Sequence, residues 1–176
     1  MIYVGIGSNL SSKGFSTPYQ TVLSAIEHFP KFGLKVRKQS DLYESEPVPV
    51  SSQPWFVNGV VEISSTKGAS DILKTLHSIE DLFGRKRSEL NAARTLDLDL
   101  LDYKGTIIND NPNLILPHPR INERAFVILP LQNICPDWQS PLTKQKVSDL
   151  VTLLPEDQKI RKICLLYTSP SPRDNR

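Results

Sequence analysis

The chain has 176 residues, 39% of them hydrophobic and 23% charged, so it is long enough for one well-buried domain and too short for two. Its formal net charge of +2 argues against a general nucleic-acid binder, and its N-terminus has no signal-peptide architecture. Its apolar runs fall far short of the roughly 20 residues that span a bilayer, and Cys135 and Cys164 lack the spacing of metal ligands. We therefore expect a cytoplasmic protein without a membrane association.

The first half of the chain is predicted to alternate strands with helices. Residues 56–64 follow a period of two, which is typical of a strand. Residues 69–83 carry apolar side chains at helical spacing, with Ser70 as the predicted N-cap and Gly84 as the C-terminal stop. The predicted elements are a strand at 2–7, a helix at 18–29, a strand at 34–43, a proline-rich loop at 45–54, the strand at 56–64 and the helix at 69–83.

The most informative stretch is residues 94–101, where leucines alternate with Asp97 and Asp99. This alternation predicts a strand with both carboxylates on one face and their Cα atoms roughly 7 Å apart. Such a pair suits Mg²⁺, which takes oxygen ligands and is often held by one or two carboxylates plus substrate phosphates. The alternative is an exposed edge strand whose aspartates merely face water, although two like charges on one strand face destabilise it unless a cation offsets them.

The loop that precedes this strand is basic. Arg85 and Arg87 follow the helix C-terminus, where the helix dipole alone would favour cations, and Arg94 lies just before the strand. A guanidinium binds phosphate oxygens with two parallel hydrogen bonds and stabilises a phosphoryl group in transfer. Carboxylates for metal beside guanidinium groups for phosphate indicate phosphoryl-type chemistry.

The second half of the chain adds a rigid corner and short elements. His118 lies between two prolines that restrict the backbone, which favours a phosphate-contacting role over that of an ordinary exposed histidine. Arg124, in the first turn of the next helix, is unfavourable beside the positive dipole end unless an anion offsets it. The predicted elements are a short hairpin arm at 106–108, a helix with Asn122 as its N-cap that ends at Leu129, a helix at 147–153 and a strand at 159–165.

Two further groups of side chains are candidates for ligand contacts. Phe56 and Asn58 share a strand face, and a ring beside a side-chain amide suits a flat, hydrogen-bonding heterocycle, with Phe126 as a second stacking ring. The alternative is a core phenylalanine and an asparagine near a turn. His77 and Glu80 lie three residues apart on a helix, where they either bind a nucleotide or are solvated. No Walker A sequence is present, so arginines and metal would have to hold any nucleotide.

The order of the predicted elements favours an α+β fold. Strand, helix, strand, strand, helix, strand is the βαββαβ pattern of a ferredoxin-like sandwich, here with additional C-terminal helices and a short hairpin. We expect a single domain over residues 1–164. Residues 165–176 have no apolar periodicity and are predicted to be a disordered tail of non-native origin.

Several motifs follow one another across about residues 2–138. They are Gly5-Ile6-Gly7-Ser8-Asn9-Leu10, Ser45-Glu46-Pro47-Val48, Gln53-Pro54-Trp55-Phe56-Val57-Asn58, Ile79-Glu80 with Gly84-Arg85, Arg94-Thr95-Leu96-Asp97-Leu98-Asp99-Leu100-Leu101, and Pro117-His118 with Arg124-Ala125-Phe126. In this order they resemble one family, the 6-hydroxymethyl-7,8-dihydropterin pyrophosphokinases of folate biosynthesis, and the R-T-L-D-L-D and P-H…R-x-F blocks are highly specific in combination.

The resemblance implies transfer of pyrophosphate from ATP to the pterin hydroxymethyl oxygen, with release of AMP. By resemblance, Asp97 and Asp99 are ligands of two Mg²⁺ ions and, with Arg85 and Arg94, the catalytic residues. The family's remaining contacts map onto two sets of positions. The nucleotide set is Glu80, Arg85, Arg94, Leu100, His118 and Arg124, to which the basic loop adds Arg87, and the pterin set is Ser45, Val48, Phe56, Asn58 and Phe126.

The chain departs from the family in two places. Asn91-Ala92-Ala93-Arg94 replaces the W-G-P-R of many relatives, and Asn113 replaces a frequent arginine, so we expect altered nucleotide contacts with retained activity. Family members also close loops over the site, here 9–17, 44–54 and 85–94.

We expect a monomer that binds small-molecule substrates and neither nucleic acid nor a membrane. The alternatives are another two-metal phosphotransferase and a non-catalytic nucleotide-binding module on the same fold.

Overall fold

The computed structural model describes residues 1–10, 17–47, 50–84 and 95–163. These residues form a mixed α/β fold. The strands are β1 (Ile2–Ser8), β2 (Lys35–Gln39), β3 (Tyr43–Ser45), β4 (Phe56–Ser64), β5 (Asp97–Tyr103) and β6 (Ile160–Lys162). The α-helices are α1 (Pro18–His28), α2 (Ala69–Leu82), α3 (Ala125–Ile134) and α4 (Val147–Thr152), and short 3₁₀ helices cover Phe29–Phe32 and Ile121–Glu123.

The strands form one six-stranded antiparallel sheet. Its main path runs β5-β1-β4-β3-β6, and β2 pairs with the C-terminal part of β4. β1 therefore lies between β4 and β5, and its residue Gly7 is opposite Asn58 on one side and Asp97 on the other. This register brings three segments that are far apart in the sequence to one end of the sheet.

The two faces of the sheet carry different cores. Ile6 and Leu98 belong to the larger core, which includes buried residues of α1 and α2. Tyr3 and Leu101 belong to a second core on the opposite face, which α3 and α4 complete. Side chains alternate between faces along a strand, so the second face is also the one toward which Asp97, Asp99 and Asn58 point. The second core covers one part of that face, and a cavity occupies the part next to it.

The predicted strand at 34–43 is two strands. Ser40 interrupts it, because its backbone N–H donates to the carbonyl of Val60 while its Oγ accepts from the N–H of Val60, both at 2.9 Å. The hydroxyl takes the place of a ladder carbonyl, and the chain gains one residue relative to β4, which is the geometry of a bulge. Gly59 accommodates the bulge, because a Cβ there would lie 2.6 Å from Cδ2 of Leu42.

The predicted helix caps are wrong at two places. Gly68, not Ser70, is the N-cap of α2, while Gly84 follows that helix with the positive φ of 79° expected of a stop. Asn122 lies within a 3₁₀ turn, and α3 begins after Arg124 and continues past Leu129 to Ile134. Pro130 inside α3 removes a helical hydrogen bond, but burial of most of this apolar helix outweighs that loss.

The remaining differences are small. Ile108 forms its bridge with Leu116 instead of returning onto β5, since the backbones of these two residues exchange both hydrogen bonds at 2.9 Å. The last strand covers only Ile160–Lys162 within the described residues. No helix in the described part of the chain has the length and apolar character needed to cross a bilayer.

Candidate active site

A cavity of about 170 Å³ lies where β1, β4 and β5 meet the start of α3. Four of the five positions predicted to contact the pterin line it together: Ser45, Phe56, Asn58 and Phe126. The strand register explains three of them, because Ser45 is opposite Phe56 and Asn58 follows two residues later on the same face. Val48, the fifth position, lies outside the described residues.

A buried hydrogen bond fixes the two side chains at the polar end of this cavity. Nδ2 of Asn58 donates to Oγ of Ser45 at 2.6 Å, and both residues are only 4% exposed. The bond orients the amide so that a flat heterocycle with donors and acceptors along its edge could pair with it. Gly7 makes room for this arrangement, because a Cβ there would lie 3.0 Å from Oδ1 of Asn58.

Asp97 and Asp99 line this first cavity and also a second one of about 260 Å³. Both residues are half-buried and lie on the same face of β5, as their spacing predicts. The second cavity also contains three positions predicted for the nucleotide, Glu80, Leu100 and His118, and is lined by Asn113 and His77 as well. The two carboxylates therefore stand between the two cavities.

Glu80 is buried, not solvated, at 2% exposure. Its Oε2 accepts a hydrogen bond from the backbone N–H of Leu98 at 2.8 Å. Leu98 lies between Asp97 and Asp99, so the α2 side chain holds the backbone from which both carboxylates project. Sequence reasoning placed Glu80 near the nucleotide but did not predict this bond, which joins residues 18 positions apart.

His118 is held by two backbone hydrogen bonds. Its own N–H donates to the carbonyl of Leu101 at 2.9 Å, and its Nδ1 accepts from the N–H of Arg120 at 3.2 Å. Burial, and then the positive charge of Arg124, lower the pKa of His118 to about 4, against the opposing effect of Asp97. The imidazole is therefore neutral at pH 7, and because Nδ1 accepts, the ring proton lies on Nε2, where it can be donated to a phosphate oxygen.

Arg124 lies on the first cavity, beside the carboxylates. One of its guanidinium nitrogens, Nη1, is 3.8 Å from Oδ2 of Asp99, and its Cζ lies 5.4 Å from the ring centroid of Phe126. The side chain thus links one of the two aspartates with an aromatic residue of the predicted pterin set. Arg120, which sequence reasoning missed, also lines this cavity. Its position directly after the Pro117-His118-Pro119 corner is the signal that could have found it.

The donor set of Asp97 and Asp99 fits Mg²⁺. Within residues 1–10, 17–47, 50–84 and 95–163 no group of three or more His, Cys, Asp or Glu residues is arranged to hold a metal ion. A pair of carboxylates beside a cavity suits this ion, because Mg²⁺ commonly takes one or two carboxylates and completes its shell with water and substrate phosphates.

Several predicted positions cannot be placed. Arg85, Arg87 and Arg94 lie outside the described residues, as do the predicted tail at 165–176 and parts of the predicted closing loops 9–17 and 44–54 and all of 85–94. Within the described residues, Ser45, Phe56, Asn58 and Phe126 of the predicted pterin set lie with the aspartate pair, His118 and Arg124 at one end of the sheet.

Comparison with known proteins yields one family. The family model described as 7,8-dihydro-6-hydroxymethylpterin-pyrophosphokinase matches residues 3–136. The 2-amino-4-hydroxy-6-hydroxymethyldihydropteridine pyrophosphokinase of Pseudomonas aeruginosa is 39% identical over 140 residues, which cover 80% of this chain and 83% of that enzyme. The folic acid synthesis protein fol1 of Pneumocystis carinii is 38% identical over 142 residues, which cover 81% of this chain. The chain spans only 18% of the length of that relative.

A solved structure shares the fold. The crystal structure of wild-type Plasmodium falciparum HPPK-DHPS superposes on 86% of this chain and 43% of its own, with a TM-score of 0.63 and 13% sequence identity. At this identity the likeness shows the architecture alone.

Proposed function

Because this chain belongs to the 7,8-dihydro-6-hydroxymethylpterin-pyrophosphokinase family, we propose that it transfers a pyrophosphoryl group from ATP to the hydroxymethyl oxygen of 6-hydroxymethyl-7,8-dihydropterin and releases AMP. One observation carries the proposal: Asp97 and Asp99 line both cavities. Two substrates that react with each other need adjoining sites with the reacting groups at the boundary, and this boundary is acidic.

In this proposal the first cavity takes the pterin. Phe56 and Phe126 supply aromatic faces for a flat ring, while Asn58 and Ser45 supply hydrogen-bonding groups at its buried end. Binding by these groups orients the hydroxymethyl oxygen toward the carboxylates and excludes water, which would compete as a nucleophile. Val48 is assigned to the same pocket by its place in the family motif.

The second cavity takes ATP in this proposal. His118 donates its Nε2–H to a phosphate oxygen, Arg124 offsets negative charge between the two cavities, and Leu100 lines the nucleotide side. Glu80 acts through its bond to Leu98, so that its contribution to the nucleotide site is to hold β5 in place. From their family positions, Arg85 and Arg94 bind phosphates and take part in catalysis, and Arg87 of the same basic loop binds phosphate as well.

Asp97 and Asp99 would hold the Mg²⁺ ions, of which we propose two for each site. When bound, Mg²⁺ neutralises charge on the triphosphate and orients it for in-line attack. The carboxylates themselves fix where such ions can bind, because β5 is anchored by β1 on one side and by Glu80 through Leu98 on the other.

The finer architecture is also proposed. The order β5-β1-β4-β2, with α1 and α2 as the crossovers, supports a ferredoxin-like βαββαβ sandwich to which α3 and α4 are added. We propose one domain over residues 1–164, because both cores share the same sheet. A cytoplasmic monomer remains the proposed state.

A product assay tests the function against its two alternatives. The chain is incubated with ATP, Mg²⁺ and 6-hydroxymethyl-7,8-dihydropterin, and the nucleotide products are separated. We expect AMP and pterin pyrophosphate in equal amounts, with no AMP when the pterin is omitted. Formation of ADP would instead indicate another phosphotransferase, and nucleotide binding without any turnover would indicate a non-catalytic module.

A further inference from the structure

Gln158 bridges two backbone groups at the start of α3. Its Oε1 accepts a hydrogen bond from the N–H of Ala125 at 2.9 Å, and its Nε2 donates to the carbonyl of Glu123 at 2.7 Å. The residue precedes β6 and lies beyond residue 136, where the match to the family ends. A single side chain from outside the family's matched region thus holds the backbone on both sides of Arg124.

This bridge meets a local requirement of the helix. The first N–H groups of a helix lack intrahelical partners, and a cap side chain normally accepts from one of them. Arg124 is the N-cap residue of α3, but a guanidinium has no acceptor atom. Gln158 supplies the acceptor from 33 residues away, which leaves the Arg124 side chain pointing toward Asp99.

The residues that follow Gln158 form hydrogen bonds with the opposite wall of the first cavity. The carbonyl of Lys159 accepts from the N–H of Glu46 at 3.0 Å, and Ile160 pairs with Ser45 in the sheet. Ser45 and Glu46 line that cavity together with Phe126 and Arg124. Residues 158–160 therefore connect the two walls of the first cavity through hydrogen bonds and strand pairing.

We infer that Gln158 is a positioning residue, which sets Arg124 and Phe126 at their distance from the wall formed by Ser45 and Glu46. This inference rests on the proposed function. Without the two hydrogen bonds, the segment 123–126 is no longer tied to β6, so that the stacking ring and the guanidinium occupy a wider range of positions. Small displacements of this kind weaken ligand binding even when the fold is retained.

Two variants of Gln158 separate hydrogen bonding from packing. Gln158→Ala removes the side chain, whereas Gln158→Met keeps its length and removes both hydrogen bonds. Glu156→Ala is the matched control, because it shortens an exposed side chain two residues away. Each protein is compared with the unchanged chain for kcat and KM of AMP formation and for its unfolding temperature.

We expect both Gln158 variants to raise KM for the hydroxymethyldihydropterin roughly threefold to tenfold, the range that corresponds to the loss of one or two hydrogen bonds. We expect kcat to change less than KM, and Glu156→Ala to match the unchanged chain. Assays well below the unfolding temperature keep every variant folded, so a purely structural role would leave KM unaltered.

Failure of the proposed function and failure of the inference about Gln158 give different results. If the unchanged chain forms no AMP, the proposed function itself is wrong. If it forms AMP and Gln158→Met has the KM of the unchanged chain, the hydrogen bonds do not position the site and the inference is overturned. The same holds if Glu156→Ala raises KM as much as Gln158→Ala does.

Discussion

The carboxylate of Glu80 accepts a hydrogen bond from the backbone N–H of Leu98, the residue between Asp97 and Asp99. The bond is 2.8 Å long and buried, and it ties α2 to the edge of β5 that does not pair with β1. A buried backbone donor without a partner is costly, so Glu80 both stabilises β5 and fixes the two carboxylates at its start.

Substitution of Glu80 tests this relationship. Glu80→Ala leaves the Leu98 N–H buried without that acceptor, and we expect a loss of about 1–3 kcal/mol in the free energy of unfolding. We also expect AMP formation to fall on the order of tenfold, because both aspartates lose their support. Glu80→Gln keeps an acceptor oxygen and is the matched control, with a much smaller effect expected. Urea unfolding and steady-state kinetics measure the two effects, and equal losses in both variants would contradict this role.

The aspartate pair is expected to be essential for turnover. Asp97→Asn and Asp99→Asn each keep the side-chain shape but remove a negative charge. By analogy with the removal of a single oxyanion-hole donor, we expect a cost of about 2.7–4 kcal/mol of transition-state stabilisation. We therefore expect kcat to fall on the order of 10²–10³-fold, and chelation of Mg²⁺ to abolish activity of the unchanged chain.

Asp110→Asn is the control for these substitutions, because Asp110 is exposed in the loop after β5. It should retain the kcat and the Mg²⁺ dependence of the unchanged chain. Full turnover in either site variant, with an unaltered dependence on Mg²⁺, would refute a metal-binding role for that aspartate.

Gly7 is predicted to control the shape of the first cavity, which we propose binds the pterin. In Gly7→Ala the new Cβ would lie 3.0 Å from Oδ1 of Asn58, so the amide has to shift, which perturbs its hydrogen bond to Ser45. We expect the dissociation constant for the pterin to rise several-fold, as measured by calorimetry. Gly5→Ala is the comparison, because its Cβ would meet Leu101 at an ordinary 3.5 Å, and its effect should be smaller. A larger effect at Gly5 would contradict this explanation.

His118 is predicted to make stability depend on pH. In the folded chain, burial and the charge of Arg124 lower its pKa to about 4 from the ordinary 6.5. Between these values the unfolded state binds more protons, so the contribution of His118 to stability is complete above pH 6.5 and is lost as the pH falls toward 4. The loss is at most about 3 kcal/mol, and partial exposure of the ring reduces it.

A comparison with His118→Gln isolates this contribution from the other titrating groups. The free energy of unfolding of each protein is measured in urea between about pH 7 and about pH 4.5, without Mg²⁺ or nucleotide. We expect the difference between the unchanged chain and the variant to shrink as the pH falls. A difference that stays constant over this range would show that the histidine titrates alike in both states.

Local patterns in the sequence predicted the parts of the fold that depend on nearby residues. The period of two in residues 94–101 predicted a strand with both aspartates on one face, and β5 has this form. The cap of α3 could not be predicted in the same way. Asn122 is a residue type that favours N-caps, yet packing of the apolar helix moves the start to Ala125, where Gln158 supplies the acceptor.

The strand at 34–43 shows the same limit. Its residues favour a strand throughout, and only the pairing with β4 shows that Ser40 replaces a backbone carbonyl and breaks the element in two. A hydrogen bond between a hydroxyl and a backbone N–H 20 positions away does not change the hydrophobic periodicity of either segment, so the sequence pattern does not reveal it.

By itself, the sequence determined the family and the type of each major element, and it supplied the candidate side chains for metal, phosphate and pterin. The tertiary structure alone decided that Asp97 and Asp99 stand between two cavities, that Glu80 supports them through Leu98, and that Gln158 ties the two walls of the site together. Periodicity is a property of neighbouring residues, whereas these relationships join single groups from distant segments, which only the pairing of strands and the packing of helices bring within hydrogen-bonding distance.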